Sequence, residues 1–185
     1  MVFGDQMTSL QALVQRNSSA IEEFKIATAM RELSGPTLVE IADMGWKGPK
    51  MGWVKANWDV ALLTKEGIMG CAVVICDHRG QLVVARCKAQ KGCPTPLAAE
   101  GLATILAVKL CKDLALTNIH LEGDAKNLVE AVRCSEEDRS RDGPVLEDLK
   151  KEVWELYNWK MSFTRREGNK VAHTIARHVA QQSMN

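Results

Sequence analysis

From Trp53 to Val60 the side chains alternate. Val54, Ala56, Trp58 and Val60 fall on one face, and Lys55, Asn57 and Asp59 on the other. That period of two predicts a strand. Ile68 to Cys76 is a nearly unbroken apolar run around Val73-Val74-Ile75, the pattern of a strand covered on both faces. Asp77-His78-Arg79-Gly80 reads as a tight turn with its glycine where φ is positive, and Gln81 to Arg86 returns as a third strand. These three strands form an antiparallel meander.

The period then changes. Thr95-Pro96 pairs a cap residue with the proline that helices accept in their first turn, and Leu102, Ile105, Leu106 and Leu110 recur at helical spacing. Ile119 to Asp124 reads as a strand ending on an acid, and Ala125 to about Cys134 as a short helix. Gly143-Pro144 opens another helix with Val145, Leu146, Leu149, Val153 and Leu156 on its apolar side. Trp159, Met161 and Phe163 alternate in a fifth strand. After Arg165-Arg166-Glu167-Gly168, a last helix carries the stripe Val171, Ile175 and Val179. The order predicts an α/β domain over residues 51–185, built on a five-stranded mixed sheet flanked by helices. A crossover helix should bring the fourth strand in parallel to a neighbour.

Upstream, Ser19 to Glu22 fits a capping box, and Ile21, Phe24 and Ala27 sit at helical spacing within a helix expected over residues 7 to about 33. That helix either packs on the domain or frays, or else docks a partner or is a remnant of a longer protein. Gly35-Pro36, Gly45 and Gly48-Pro49 mark a linker, so residues 1–50 form an extension distinct from the domain.

Composition narrows the partners rather than naming one. With 24 basic and 23 acidic residues the net charge is +1, so any surface for a polyanion must be local. Six cysteines show neither C-x-x-C nor zinc spacing, and several lie in apolar runs, as free thiols in a reducing intracellular compartment do. No apolar run approaches a membrane span, and the first residues lack a secretory signal, so no membrane role is expected.

Three acids stand out. Glu100 is flanked by Ala98, Ala99 and Gly101, small residues that would let its helix approach the sheet closely. A carboxylate buried there is costly unless something neutralises it. Asp124 ends a strand, where it could hold a cation or simply cap the helix that follows. Asp59 lies mid-strand between Trp58 and Val60, either at a site or as a solvated acid. Glu122 shares a face with Asp124 and reads as a supporting or solvated group. His78, His120 and His178 are expected to have no role, the last two for want of partners.

The element order, together with Val54-Lys55-Ala56-Asn57-Trp58-Asp59, Ala98-Ala99-Glu100, Glu122-Gly123-Asp124 and Asn169-Lys170-Val171-Ala172-His173, resembles type 1 ribonuclease H. The turn at Asp77–Gly80 and the segment Arg165–Asn169 resemble more closely the reverse-transcriptase-like ribonuclease H domains abundant in plant genomes and often derived from retroelements. The likeness spans about residues 52 to 181. It implies a ribonuclease H-like fold in which Asp59, Glu100 and Asp124 hold two Mg2+ ions, with Mn2+ as a possible substitute. The implied reaction is endonucleolytic hydrolysis of the RNA strand of an RNA–DNA hybrid, leaving a 5′-phosphate and a 3′-hydroxyl. No small-molecule cofactor is implied, and a monomer is expected.

One position departs from that family. A fourth acid is expected four residues after the asparagine matched by Asn169, and His173 stands there. Imidazole favours manganese or zinc over magnesium, and a histidine can also move protons. The departure opens an alternative: a weakened or inactive domain that binds nucleic acid or protein. Arg165, Arg166, Asn169 and Lys170 would contact phosphates beside the acids, or the basic residues form an ordinary solvated face. The long basic, tryptophan-bearing helix that some bacterial relatives use as a substrate handle has no counterpart between the second and third helices.

Overall fold

In the computed structural model, residues 45–136 and 138–184 are described. The helix expected over residues 7–33, its capping box and the linker up to residue 44 lie outside them. The chain forms β1 (Val54–Leu63), β2 (Ile68–Cys76), β3 (Leu82–Lys91), α1 (Pro96–Asp113) and β4 (Asn118–Gly123). There follow α2 (Lys126–Arg133), α3 (Gly143–Trp154), β5 (Asn158–Phe163), a 3-10 turn at Arg166–Asn169 and α4 (Lys170–Gln182).

The sheet order is β3-β2-β1-β4-β5. The meander is antiparallel as expected, while β4 pairs parallel to β1 and β5 parallel to β4. At the β2–β3 turn, Asp77 Oδ1 accepts from the backbone N–H groups of Arg79 and Gln81 at 2.8 and 2.9 Å, and Gly80 has φ +76. Thr95 caps α1 through an Ala98 N–H donated to its hydroxyl at 3.1 Å.

Two apolar layers cover the two faces. Ala56, Trp58, Cys71, Val73 and Ile75 pack with α1, α2 and α3, whereas Ala72, Val74 and Cys76 pack with α4. The alternation along β1 therefore reads true on the first face. Its second face is not solvated: Lys55, Asn57 and Asp59 are all buried.

Two contacts differ from expectation. Gly101 makes room for α3 rather than the sheet, since a Cβ there would sit 2.8 Å from Val145 Cγ1. On α4 the fully covered residues are Ala172, Ile175, Ala176 and Ala180, with Val171 and Val179 only half-buried. Gly70 in β2 explains that rotation: a Cβ there would meet the Ala176 carbonyl oxygen and come within 2.7 Å of Ala180 Cβ. Helix and strand approach so closely that only small residues fit along the contact line. Phe163, on the same face of the strand as the buried Met161, is 44% exposed because β5 is an edge strand ending there.

None of the six cysteines forms a disulfide, and Cys71, Cys76, Cys87 and Cys111 are buried as small hydrophobes. Burial pushes the Cys111 thiol up to about 12. Among the described residues no helix is long and apolar enough to cross a membrane.

Candidate metal centre

β1 delivers Asp59, the first turns of α1 deliver Glu100, and the end of β4 delivers Asp124. One carboxylate oxygen from each lies within 4.8 Å of the other two. Adjacency of β1 and β4 produces this meeting, and Gly123 sharpens it. A Cβ on Gly123 would lie 2.6 Å from Trp58 Cζ2, so only glycine lets the β4 terminus pass over the indole and set Asp124 beside Asp59. Asp59 is buried, while Glu100 and Asp124 are half-buried, so the cluster opens to solvent on one side.

Like charges this close, taken partly out of water, resist ionisation. Burial, then the neighbouring Asp124, pushes Asp59 up to about 6. Burial, then Asp59 and Asp124, pushes Glu100 up to about 8. Glu100 Oε2 and Trp58 Nε1 are each buried without a hydrogen bond of normal geometry, although the indole is near enough to favour the carboxylate. A Glu100 carboxylate with one orphaned oxygen, set beside two further acids, is what a cation would satisfy. The donor set is all oxygen, which suits a hard divalent ion such as Mg2+ or Mn2+.

Protein donors already meet the other two acids. Asp59 Oδ1 accepts from the Val60 N–H at 2.6 Å, and His173 Nδ1 donates to Asp59 Oδ2 at 2.8 Å. Asp124 does not cap α2, whose N-cap is Ala125. Its oxygens instead meet Asn169 Nδ2 at 3.4 Å and Arg166 Nε at 3.3 Å. Asn169, 1% exposed, also donates to the Trp58 carbonyl at 2.8 Å, tying the 3-10 turn to β1. Of the basic residues singled out in the sequence, Arg166 reaches the acids, while Arg165 and Lys170 are exposed on either side of its turn.

The buried groups beside the acids were less legible in the sequence. Glu122 is neither solvated nor a bystander: its Oε1 accepts from Lys55 Nζ at 2.8 Å, and Ser162 Oγ donates to its Oε2 at 3.3 Å. His120, expected to lack a partner, lies with Nε2 2.6 Å from Ser162 Oγ, and burial pushes its pKa down to about 3. Lys55 and Asn57 gave one signal, polar residues alternating with apolar ones on a strand. Trp46 gave none, yet its Nε1 donates to Asn57 Oδ1 at 2.9 Å.

Residues 57–179 match the sequence profile of the reverse transcriptase-like family. The chain belongs to that family. Three solved structures share the fold of this reverse transcriptase-like protein. RNase H1 from the halophilic archaeon Halobacterium salinarum NRC-1 is 20% identical with a TM-score of 0.60, over 70% of this chain and 98% of that one. The N-terminal RNase H domain of a Mycobacterium tuberculosis protein, fused to maltose-binding protein, is 17% identical with a TM-score of 0.63, over 72% and 99%. LC11-RNase H1, in a complex with an RNA/DNA hybrid, is 15% identical with a TM-score of 0.64, over 71% and 99%. No curated protein sequence matches the chain. Both the family and the fold thus agree with the likeness read from the sequence motifs.

Proposed function

We propose that this reverse transcriptase-like protein is a divalent-metal-dependent ribonuclease that hydrolyses the RNA strand of RNA–DNA hybrids. The observation that carries the reading is the convergence of Asp59, Glu100 and Asp124, with Glu100 Oε2 buried and unpartnered. Asp59, Glu100 and Asp124 would hold Mg2+, with Mn2+ as substitute. Bound divalent ions supply Lewis-acid stabilisation of a phosphodiester under in-line attack by water.

The chain's own residues do the rest. Asp59 presents its carboxylate from within β1, and Asp124 from the residue that follows β4. Asn169 and the Val60 N–H fix their orientation, and His173 holds the other oxygen of Asp59. Arg166, beside Asp124, and the exposed Arg165 and Lys170 would take backbone phosphates, the contacts that position a nucleic acid without reading its sequence. Fit to an A-form hybrid and its 2′-hydroxyls would then select the RNA strand.

A labelled RNA–DNA hybrid incubated with the protein in Mg2+ and in Mn2+ is expected to yield products with 5′-phosphate and 3′-hydroxyl ends. Asp59→Asn is expected to reduce the rate at least about 100-fold, as loss of a metal ligand does. Unchanged cleavage by that variant would remove Asp59 from the chemistry.

A second reading rests on the donors already seated on the acids. Arg166 on Asp124 partly neutralises the cluster without any ion, and His173 already occupies an oxygen of Asp59. A domain stabilised in that way binds hybrid without cutting it. Hybrid binding with no cleavage in either metal would select this reading.

A further inference from the structure

Beneath the acids runs a buried polar chain that begins outside the family match, at Trp46. An indole N–H can only donate, so Asn57 must turn its oxygen toward Trp46 Nε1, 2.9 Å away. That leaves the Asn57 NH2 facing three oxygens: Asn169 Oδ1 at 3.3 Å, and the Glu122 carbonyl and Oε1 at 3.4 Å. Asn169 accepts there with its own oxygen, so its NH2 must point the other way, to the Trp58 carbonyl at 2.8 Å and Asp124 Oδ1 at 3.4 Å. The chain is pinned by a pure donor at one end and pure acceptors at the other. Only one orientation of both amides satisfies every link.

The segment carrying Trp46 is built into the domain. Pro49 is buried, and a Cβ on Gly48 would sit 2.9 Å from the His78 carbonyl oxygen. The Trp46 ring packs with the α4-side core and against Gly80, and Lys55 Nζ lies 5.2 Å from its centroid. Lys55 in turn holds Glu122 from below. Trp46 therefore closes a lid of polar contacts over the second face of β1.

We propose that Trp46 and Asn57 are positioning residues for the Asp124 carboxylate, acting through the Asn169 amide. This rests on the metal-site reading above, in that Asp124 is taken as a ligand. Without Trp46 Nε1 the Asn57 oxygen is buried with no donor, and the amide is freed to turn. The Asn169 NH2 then loses its counterweight, and Asp124 loses a fixed hydrogen bond. Outer-shell groups that orient a ligand in this way commonly tune metal affinity by about 10–100-fold.

Trp46→Phe keeps the ring over Lys55 and removes only the donor. In the full chain, hydrogen exchange of the Asn169 side-chain amide, followed by NMR without metal, is expected to speed up at least about fivefold, the factor for one net hydrogen bond. Calorimetric Mn2+ affinity is expected to fall about tenfold. Asn57→Asp keeps the acceptor for Trp46 but sets an oxygen against Asn169 Oδ1 and Glu122, and is expected to lose more affinity than Trp46→Phe. Folded variants with unchanged amide exchange would overturn the proposal, as would a lowered Tm with Mn2+ affinity intact, the mark of a purely structural role. The exchange readout needs neither metal nor substrate. Native protein that binds no Mn2+ yet shows the amide effect would sink the nuclease reading and leave the orienting chain standing.

Discussion

Replacing Glu100 with glutamine should make the metal-free protein more stable and less able to bind metal, with a pH dependence set by the site itself. In the fold, burial and the two aspartates raise the Glu100 carboxyl from 4.5 to about 8. Its folded pKa lies above its unfolded one, so the folded state binds the extra proton and stability falls as pH rises between them. The penalty is absent below about pH 4.5, grows through neutrality and levels off above about pH 8. Raising the carboxyl from 4.5 to about 8, at about 1.4 kcal/mol per pH unit, costs the fold about 5 kcal/mol at the alkaline end. Glutamine is neutral throughout and avoids that cost. Asp59, raised from 3.8 to about 6, adds a smaller loss in the same direction, shared by both proteins.

The measurement is urea or thermal unfolding in EDTA from pH 5 to pH 9. At pH 5 the two proteins should agree within about 1 kcal/mol, since a neutral carboxyl and an amide differ by little more than a hydrogen bond. At pH 9 Glu100→Gln should melt about 10–20 °C higher, taking about 2–4 °C per kcal/mol for a chain of this size. Saturating Mn2+ should reverse the order, because ligand that binds only the folded native protein stabilises it by mass action. Melting curves whose separation does not change with pH would refute the reasoning, for then Glu100 carries no buried charge and the orphaned oxygen has no electrostatic meaning.

Two further changes probe the same centre. His173→Asp removes the donor on Asp59 Oδ2 and adds a fourth carboxylate; hybrid cleavage in Mg2+ should rise at least about tenfold, and an unchanged rate would mean that His173 does not limit metal binding. Gly123→Ala drives a methyl into the Trp58 indole, so stability should fall by about 1–3 kcal/mol and Mn2+ affinity with it. A loss of stability that spares affinity would show that the strand end tolerates the shift.

How far the sequence reached can be judged from β1. Its alternation foretold the strand, and the apolar half of it foretold which residues meet α1. The polar half foretold only that Lys55, Asn57 and Asp59 share a face. Whether that face is wet or dry depends on the 3-10 turn and α4, which arrive from far along the chain, and on Trp46, which folds back from just before the strand. Asp124 shows the same limit: an acid before a helix has a capping reading that no local pattern can dismiss, and the Ala125 cap settles it only in three dimensions. The Val171–Ile175–Val179 stripe held at Ile175 and was one position off at its two valines, because hydrophobicity ranks valine above alanine whereas the closeness of Gly70 ranks them the other way.

The sequence by itself determined the strand and helix order, the turn at Asp77–Gly80, the cap at Thr95 and the three acids worth watching. Those are local matters: periodicity, capping and the company a residue keeps along the chain are all written within a few positions. The tertiary structure decided that the three carboxylates share 4.8 Å of space, that Glu100 is left an oxygen short, and that Trp46 governs an amide 123 residues away at Asn169. Burial, repulsion and hydrogen-bond direction depend on which surfaces meet, and strand order across the sheet, not order along the chain, brings those surfaces together.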